Sequence, residues 1–342
     1  MRSRVMILAA FVLALAVRPA SADDLRKVTI AFAGKGMSFL LQYIAIGGGF
    51  YKQEGLDPDS VDVASGTRQA AAVMGGSAEI TQVGFAHTMH AVGRGGSLVG
   101  ICTGFDVYPI ALVLSNDAIK RLGITDTMSI DEKIKRVKGV RIGITSPGSS
   151  TDEFMRTVML VRGMNPSTDV QLQPIGIRAP MVAAMQQGAT DGFAFMSPFT
   201  NIAVSRGIGQ VIADPMTGQL AEYRDVPYQV ITTSRETLAT KRDLLLHVVR
   251  AMTRAMKFAH EDKEGARKVV RPFFEGTSDA DFNTAFDTYI NAVPTTPVIS
   301  QAQVDNTVKM VNLTEKTPMQ VTYDQVVYGD LAREAAKDIL GK

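Results

Sequence analysis

Four short turns carry the residue types from which a binding site can be made. They are Gly36-Met37-Ser38, Ser65-Gly66-Thr67, Ser149-Ser150-Thr151 and Ser197-Pro198. Glycine lets a backbone come close to a ligand, and hydroxyls both donate and accept hydrogen bonds. Ser149-Ser150-Thr151 follows Gly148 and opens a helical pattern. A helix start offers unpaired backbone N–H groups at a positive dipole end, so this turn is a candidate anion cradle. The competing role is that Ser150 or Thr151 only caps its own helix. Arg68 and Arg178 each stand at a strand-to-helix turn. A guanidinium can grip a carboxylate, sulfonate or phosphate through two parallel hydrogen bonds; the competing role is a solvated surface arginine. Lys35 is a further candidate cation. Met37, Phe39, Phe85, Phe105, Tyr108, Phe195, Pro198, Phe199 and Tyr228 lie in or beside the same turns. They could wall a small-molecule cleft, although more than half of them are expected to be ordinary core.

Enzyme patterns are missing. Gly34-x-Gly36 lacks the third glycine of a dinucleotide turn, because position 39 is Phe. There is no G-x-x-x-x-G-K-[ST] loop and no G-x-S-x-G elbow. His87 and His90 have i, i+3 spacing but no evident third metal ligand. His247 and His260 lie in the C-terminal helical region. Cys102 is the single cysteine, which excludes an intrachain disulfide; it reads as a small buried apolar residue. The expectation is a protein without catalytic residues, cofactor or metal.

The elements that position the turns follow a repeated order. Val28–Phe32 reads as a strand, followed by the Gly/Ser turn and a helix with Leu40, Tyr43, Ile44 and Gly47 on one face. A strand at 61–63, a helix at 70–74 and a strand at 79–84 complete the first set. The second set has strands at 140–144, 170–174 and 192–196, with helices after residue 150 and over 179–187. The sets match at a constant offset of 112: Gly36 with Gly148, Ser38 with Ser150, Gly76 with Gly188, Glu79 with Asp191. Alternating strands and helices imply an α/β fold with mostly parallel sheets flanked by helices. Strands at 110–114 and 228–232 bracket the second set, so the chain is expected to cross over near 105–109 and return near 226–229. Thr240 with Asp243 reads as the cap of a long helix with Leu245, Val249, Met252, Met256 and Ala259 on its apolar stripe. A last helix is expected over 330–340.

Residues 1–22 read as an export signal: basic Arg2 and Arg4, an apolar run from Val5 to Val17, then Ala20-Ser21-Ala22 as the cleavage site. The run is shorter than the ~20 residues a membrane-spanning helix needs. No cysteine lies near the cleavage site to carry a lipid. The chain has 36 Lys+Arg against 34 Asp+Glu; removing Arg2, Arg4 and Arg18 leaves 33 against 34. That balance gives no basic surplus for nucleic acid.

Three segments then resemble one family. They are Gly49-Phe50-Tyr51-Lys52-Gln53-Glu54-Gly55-Leu56, Gly75-Gly76-Ser77-Ala78-Glu79-Ile80, and Gly188-Ala189-Thr190-Asp191-Gly192-Phe193 followed by Ser197-Pro198-Phe199. Their order resembles the type II periplasmic solute-binding proteins of ABC transporters, in the SsuA/THI5-like or NMT1-like branch, from about residue 28 to about residue 270. The resemblance implies a two-lobed, hinged, monomeric binder in the periplasm, with a small-molecule ligand and an inner-membrane ABC permease as partners. It implies ligands such as sulfonates, nitrate, taurine, aromatic acids or pyrimidine precursors, and contacts at Gly36–Ser38, Ser65–Thr67, Phe85, Ser149–Thr151 and Ser197-Pro198. Pyrimidine-synthase members carry a cysteine-rich motif that one cysteine cannot supply. The expected domains are a signal over 1–22, a first lobe from 23–108 and 228–342, and a second lobe over 109–227. Rival readings are an uncharged or cationic ligand, such as a neutral aromatic, a pyrimidine or an amine, an enzyme on the same fold, or a partner of a membrane sensor.

Overall fold

The computed structural model describes residues 25–34, 36–63, 65–176 and 180–341. The leader at 1–22, Lys35 and Arg178 lie outside the described residues. Among the described residues, ten strands form two five-stranded sheets. The first sheet contains β1 (Arg26–Phe32), β2 (Leu56–Asp62), β3 (Ile80–Gly84), β4 (Leu98–Phe105) and β10 (Gln229–Ser234), in the order β2-β1-β3-β10-β4. The second contains β5 (Ala111–Ser115), β6 (Arg141–Ile144), β7 (Gln171–Pro174), β8 (Gly192–Phe195) and β9 (Gly209–Ala213), in the order β7-β6-β8-β5-β9. Substituting element for element, the two orders are the same.

The sheets are mixed rather than simply parallel. β1 runs parallel to β2 and β3, and β6 parallel to β7 and β8. The fourth strand of each sheet, β10 or β5, is antiparallel to both neighbours. These are the two strands expected at the crossings. Each enters its sheet from the opposite lobe, which sets its direction. β3, β4 and β10 are buried on both faces, as strands covered by helices on both sides are; β4 is mainly apolar, whereas β3 and β10 carry buried polar residues such as Gln82 and Gln229.

The 112-residue offset is structural. Glu79 Oε2 accepts from the Thr29 N–H at 2.7 Å, and Asp191 Oδ2 accepts from the Arg141 N–H at 2.8 Å; Thr29 and Arg141 are themselves 112 apart. In both lobes an acidic residue before the third strand ties down the start of the first.

Helices cover the sheets. Those used below are α1 (Leu40–Gly47), α2 (Gly66–Met74), α3 (Phe85–Gly93), α4 (Ser150–Leu160), α5 (Phe199–Ser205), α6 (Arg242–Glu261), α7 (Asp279–Ile290), α8 (Gln301–Asn312) and α9 (Asp330–Leu340). The stripe of α6 is buried as expected and packs on α1 and α9. Thr240 does not cap it. A short helix, Arg235–Thr240, precedes α6, and the Thr240 hydroxyl donates back to the Glu236 carbonyl. The C-terminal third covers the first lobe and also reaches the second, where α7 packs on α5 and Asn306 of α8 donates to the Asp225 carbonyl at 3.3 Å. There Tyr289 donates to the Pro109 carbonyl and accepts from the Ser197 N–H, both at 3.2 Å.

Candidate functional site

The turns of the two lobes meet face to face. The Met37 N–H donates to the Ser197 carbonyl at 3.2 Å. Ser38 Oγ lies 3.0 Å from Met196 Sδ, and Thr67 Oγ1 donates to the Gly148 carbonyl at 3.4 Å. His87 Nε2 is 3.2 Å from Ser150 Oγ. Between these contacts is a cavity of ≈ 40 Å³, room for about three waters at ~10–15 Å³ each. At these turns the lobes are therefore drawn together, with little space left between them.

Its walls come from both lobes: Gly36, Ser65, Gly66 and Tyr228 from the first, and Ser149, Ser150, Thr151 and Met196 from the second among them. None of the wall residues carries a formal charge. Charge complementarity comes instead from helix ends. Ser65 caps α2 by accepting from the Arg68 N–H, and Ser149 caps α4 by accepting from the Asp152 N–H. Gly66, Ser150 and Thr151, which line the cavity, are first-turn residues whose N–H groups have no intrahelical partner. Two helix N-termini, one per lobe, thus direct free donors at one cavity. Gly148, at φ 70°, turns the chain into α4 in a conformation that side chains disfavour. Gly66 is needed for closeness: a Cβ there would sit 2.5 Å from His87 Nε2.

The other expected site residues divide. Tyr108 is buried at the crossing, where it stacks on Phe154, packs tilted on Tyr223 and edge-on against Tyr228, and donates to the Ser150 carbonyl at 3.2 Å. Burial pushes the Tyr108 hydroxyl well above its ordinary range, so it remains a donor. It braces the wall without forming it. Phe85 is fully buried behind the floor, in a cluster with Met89 and Val230. Met37 and Ser197 bond to each other across the lobes, and Pro198 begins the approach to α5. Thr67 lies at the mouth, lining a neighbouring cleft. Arg68, at the third position of α2, is exposed and is not part of the cavity wall. Cys102 is buried in β4.

Several contributors escape sequence reasoning. Gln69 and Gln229 line the cavity. Gln69 Nε2 lies within hydrogen-bond distance of Thr81 Oγ1 and the Ala31 and Gln82 carbonyls, while Gln82 Nε2 reaches the Ser38 carbonyl and Gln229 Oε1. This buried amide network fixes the floor. The available signal was polar Thr81-Gln82 and Gln229 inside otherwise apolar strand runs. His87, considered above only as a metal ligand, faces Ser150. Burial lowers its pKa, outweighing the nearby Glu153 carboxylate, which favours a neutral imidazole.

Comparison with known proteins is then decisive for the family. Residues 21–272 match the NMT1-like family. The chain belongs to that family. A segment of 134 residues is 28% identical to the nitrate/nitrite binding protein NrtA of Nostoc, covering 39% of this NMT1-like chain and 29% of that protein. A solved structure from Bordetella bronchiseptica RB50 superposes with a TM-score of 0.81 at 23% identity, covering 92% of this chain and 98% of that one. The alkanesulfonate-binding protein SsuA of Xanthomonas axonopodis pv. citri, bound to MOPS, gives 0.69 at 15% identity over 91% and 100%. These likenesses establish the two-lobed periplasmic-binding-protein fold for this NMT1-like chain.

Proposed function

We propose that the protein is the periplasmic solute-binding component of an ABC importer, and that it captures a small anion, most simply the anionic head of an organic molecule, by closing its lobes. The observation that supports this reading is the pair of helix starts, α2 and α4, aiming unpaired N–H groups and four hydroxyl residues at one uncharged interlobe cavity. Such an arrangement holds negative charge through oriented dipoles without a buried cation. Nitrate-sized oxyanions suit the closed cavity as it stands; an organic sulfonate or carboxylate requires the lobes to close around it less tightly. The ligand holds the closed form only through its greater affinity for that form. Closure would then present a joined surface from both lobes to a membrane permease. The His87 Nε2 contact with Ser150 Oγ at 3.2 Å joins the two lobes, and capture rather than turnover is the chemistry proposed. No helix among the described residues is long and apolar enough to cross a membrane, and residues 1–22 would supply the export signal.

Phe39, Phe195 and Tyr228 also line the cavity, which supports a second reading, a flat neutral ligand stacked between them. Titration calorimetry with nitrate, alkanesulfonates, carboxylates and pyrimidines separates the two. The anion reading predicts that Ser150→Ala weakens anion binding about tenfold, with Arg68→Ala and Arg178→Ala reporting whether either guanidinium takes part. A protein that ignores every anion but binds a pyrimidine, with Phe39→Ala abolishing it, favours the second reading and refutes the first.

A further inference from the structure

Beside the small cavity, and separate from it, a cleft of ≈ 650 Å³ opens between α3 of the first lobe and the start of α4 in the second. A cleft of this size is in the range that holds organic molecules. Its polar lining is uneven in charge. Asp152 is paired with Arg156 at 2.9 Å and also accepts from the Gly148 N–H. Glu315 has Arg94 4.0 Å away. Glu153 has no such guanidinium. It is 8% exposed, and its Oε1 has no hydrogen-bond partner. Its nearest basic group is His90, whose Nε2 lies 3.6 Å away without hydrogen-bond alignment. The other ring nitrogen of His90 lies 3.2 Å from Glu315 Oε1. Three carboxylates therefore face two guanidiniums, and the unmatched charge is the buried one.

A buried carboxylate matched by no guanidinium, and by an imidazole only beyond hydrogen-bond distance, carries a large desolvation cost, so the cleft is suited to a positive group brought from outside. A metal ion fits poorly: among the described residues, no three of the His, Cys, Asp or Glu side chains converge as a coordination shell requires. An alkylammonium suits the site better. It brings three donors at hydrogen-bond rather than coordination distance. We propose that this cleft binds an organic ammonium group between the Glu153 carboxylate of one lobe and the Glu315 carboxylate of the other. Bound there, the cation joins the lobes and favours the closed form.

The test is titration calorimetry of the exported protein with butane-1,4-diamine at pH 8, where alkylamines are charged and imidazoles ordinarily neutral. Sodium chloride of matched ionic strength is the control. The expected result is saturable binding that Glu153→Gln weakens about tenfold or more, with a similar loss in Glu315→Gln. Circular dichroism melts establish that each variant is folded; if one is not, the other decides. No saturable heat in the wild type, or equal affinity in both folded variants, overturns the proposal. The anion panel on the same samples keeps the two readings apart. Anion binding without amine binding refutes this cleft alone, and amine binding without anion binding refutes the cradle alone.

Discussion

Asp106, just after β4, shows how the crossing constrains single residues. Burial pushes its carboxyl up to about 6, offset only in part by the Gln303 amide, whose Nε2 lies 3.3 Å from Oδ1. An unfolded aspartate titrates near ~3.9. Between roughly pH 4 and 6 the unfolded chain therefore loses a proton that the folded chain keeps. The contribution to stability is full below about pH 4 and is lost as pH rises through 6. Asp106→Asn is expected to raise stability at pH 7 by about 1–2 kcal/mol, allowing for partial exposure, and to change little at pH 4. Urea melts at the two pH values measure this; equal effects at both would contradict it. At this scale the sequence was readable where turn chemistry decides. Ser65, Gly66 and Ser149–Thr151 stand in the wall because serines, threonines and glycines gather where helices start. Gln69, Gln229 and Met196 were not readable, because strand pairing and lobe contact decide which way they point. Arg68 illustrates the reverse: its position at a turn is plain in the sequence, while its exposure depends on the rotation of α2.

Among the elements, the repeated acidic tether carries a sharper expectation. Burial raises the Asp191 carboxyl, but hydrogen bonds from Arg141 and Arg121 outweigh this and hold it at about 2. The folded value lies below the unfolded one, so the stabilisation is present above about pH 4 and is lost as pH falls toward 2. Asp191→Asn is expected to cost about 1–3 kcal/mol at pH 7, leaving the Arg141 N–H and guanidinium less well satisfied. The same change should cost little near pH 2, as thermal melts across that range would show. The 112-residue offset made the correspondence of Glu79 with Asp191 legible from the residue order alone. Strand direction was not legible. Residues 110–114 and 228–232 read as strands, but periodicity carries no sign, and only the crossings make them antiparallel. β4 and β9 were unread because Gly100, Gly104 and Gly209 interrupt their apolar runs.

For the whole molecule, the two mixed sheets and the turns between them describe a closed arrangement held by a few contacts. Met37 with Ser197, Thr67 with Gly148 and His87 with Ser150 are individually modest hydrogen bonds, worth about 1 kcal/mol each. Ligand-free protein should therefore populate open forms readily. Small-angle scattering is expected to show a radius of gyration that shrinks on adding a bound anion. A radius that stays constant with ligand saturated would contradict hinge closure. The aromatic group at the crossing, with ring centroids of Tyr108 4.3 Å from Tyr223 and 4.9 Å from Tyr228, lies where such bending must be accommodated.

The position of β10 has a consequence for synthesis. The second sheet is complete once residue 213 has emerged, since all its strands lie between Ala111 and Ala213. The first sheet is not, because β3 and β4 touch only through β10, which begins at Gln229. A nascent chain stopped between those points holds one finished half and one that is split, with β4 lacking its neighbour in the sheet. The order in which the sheets can be completed therefore runs outward from the middle of the sequence, and the half that begins first is completed last.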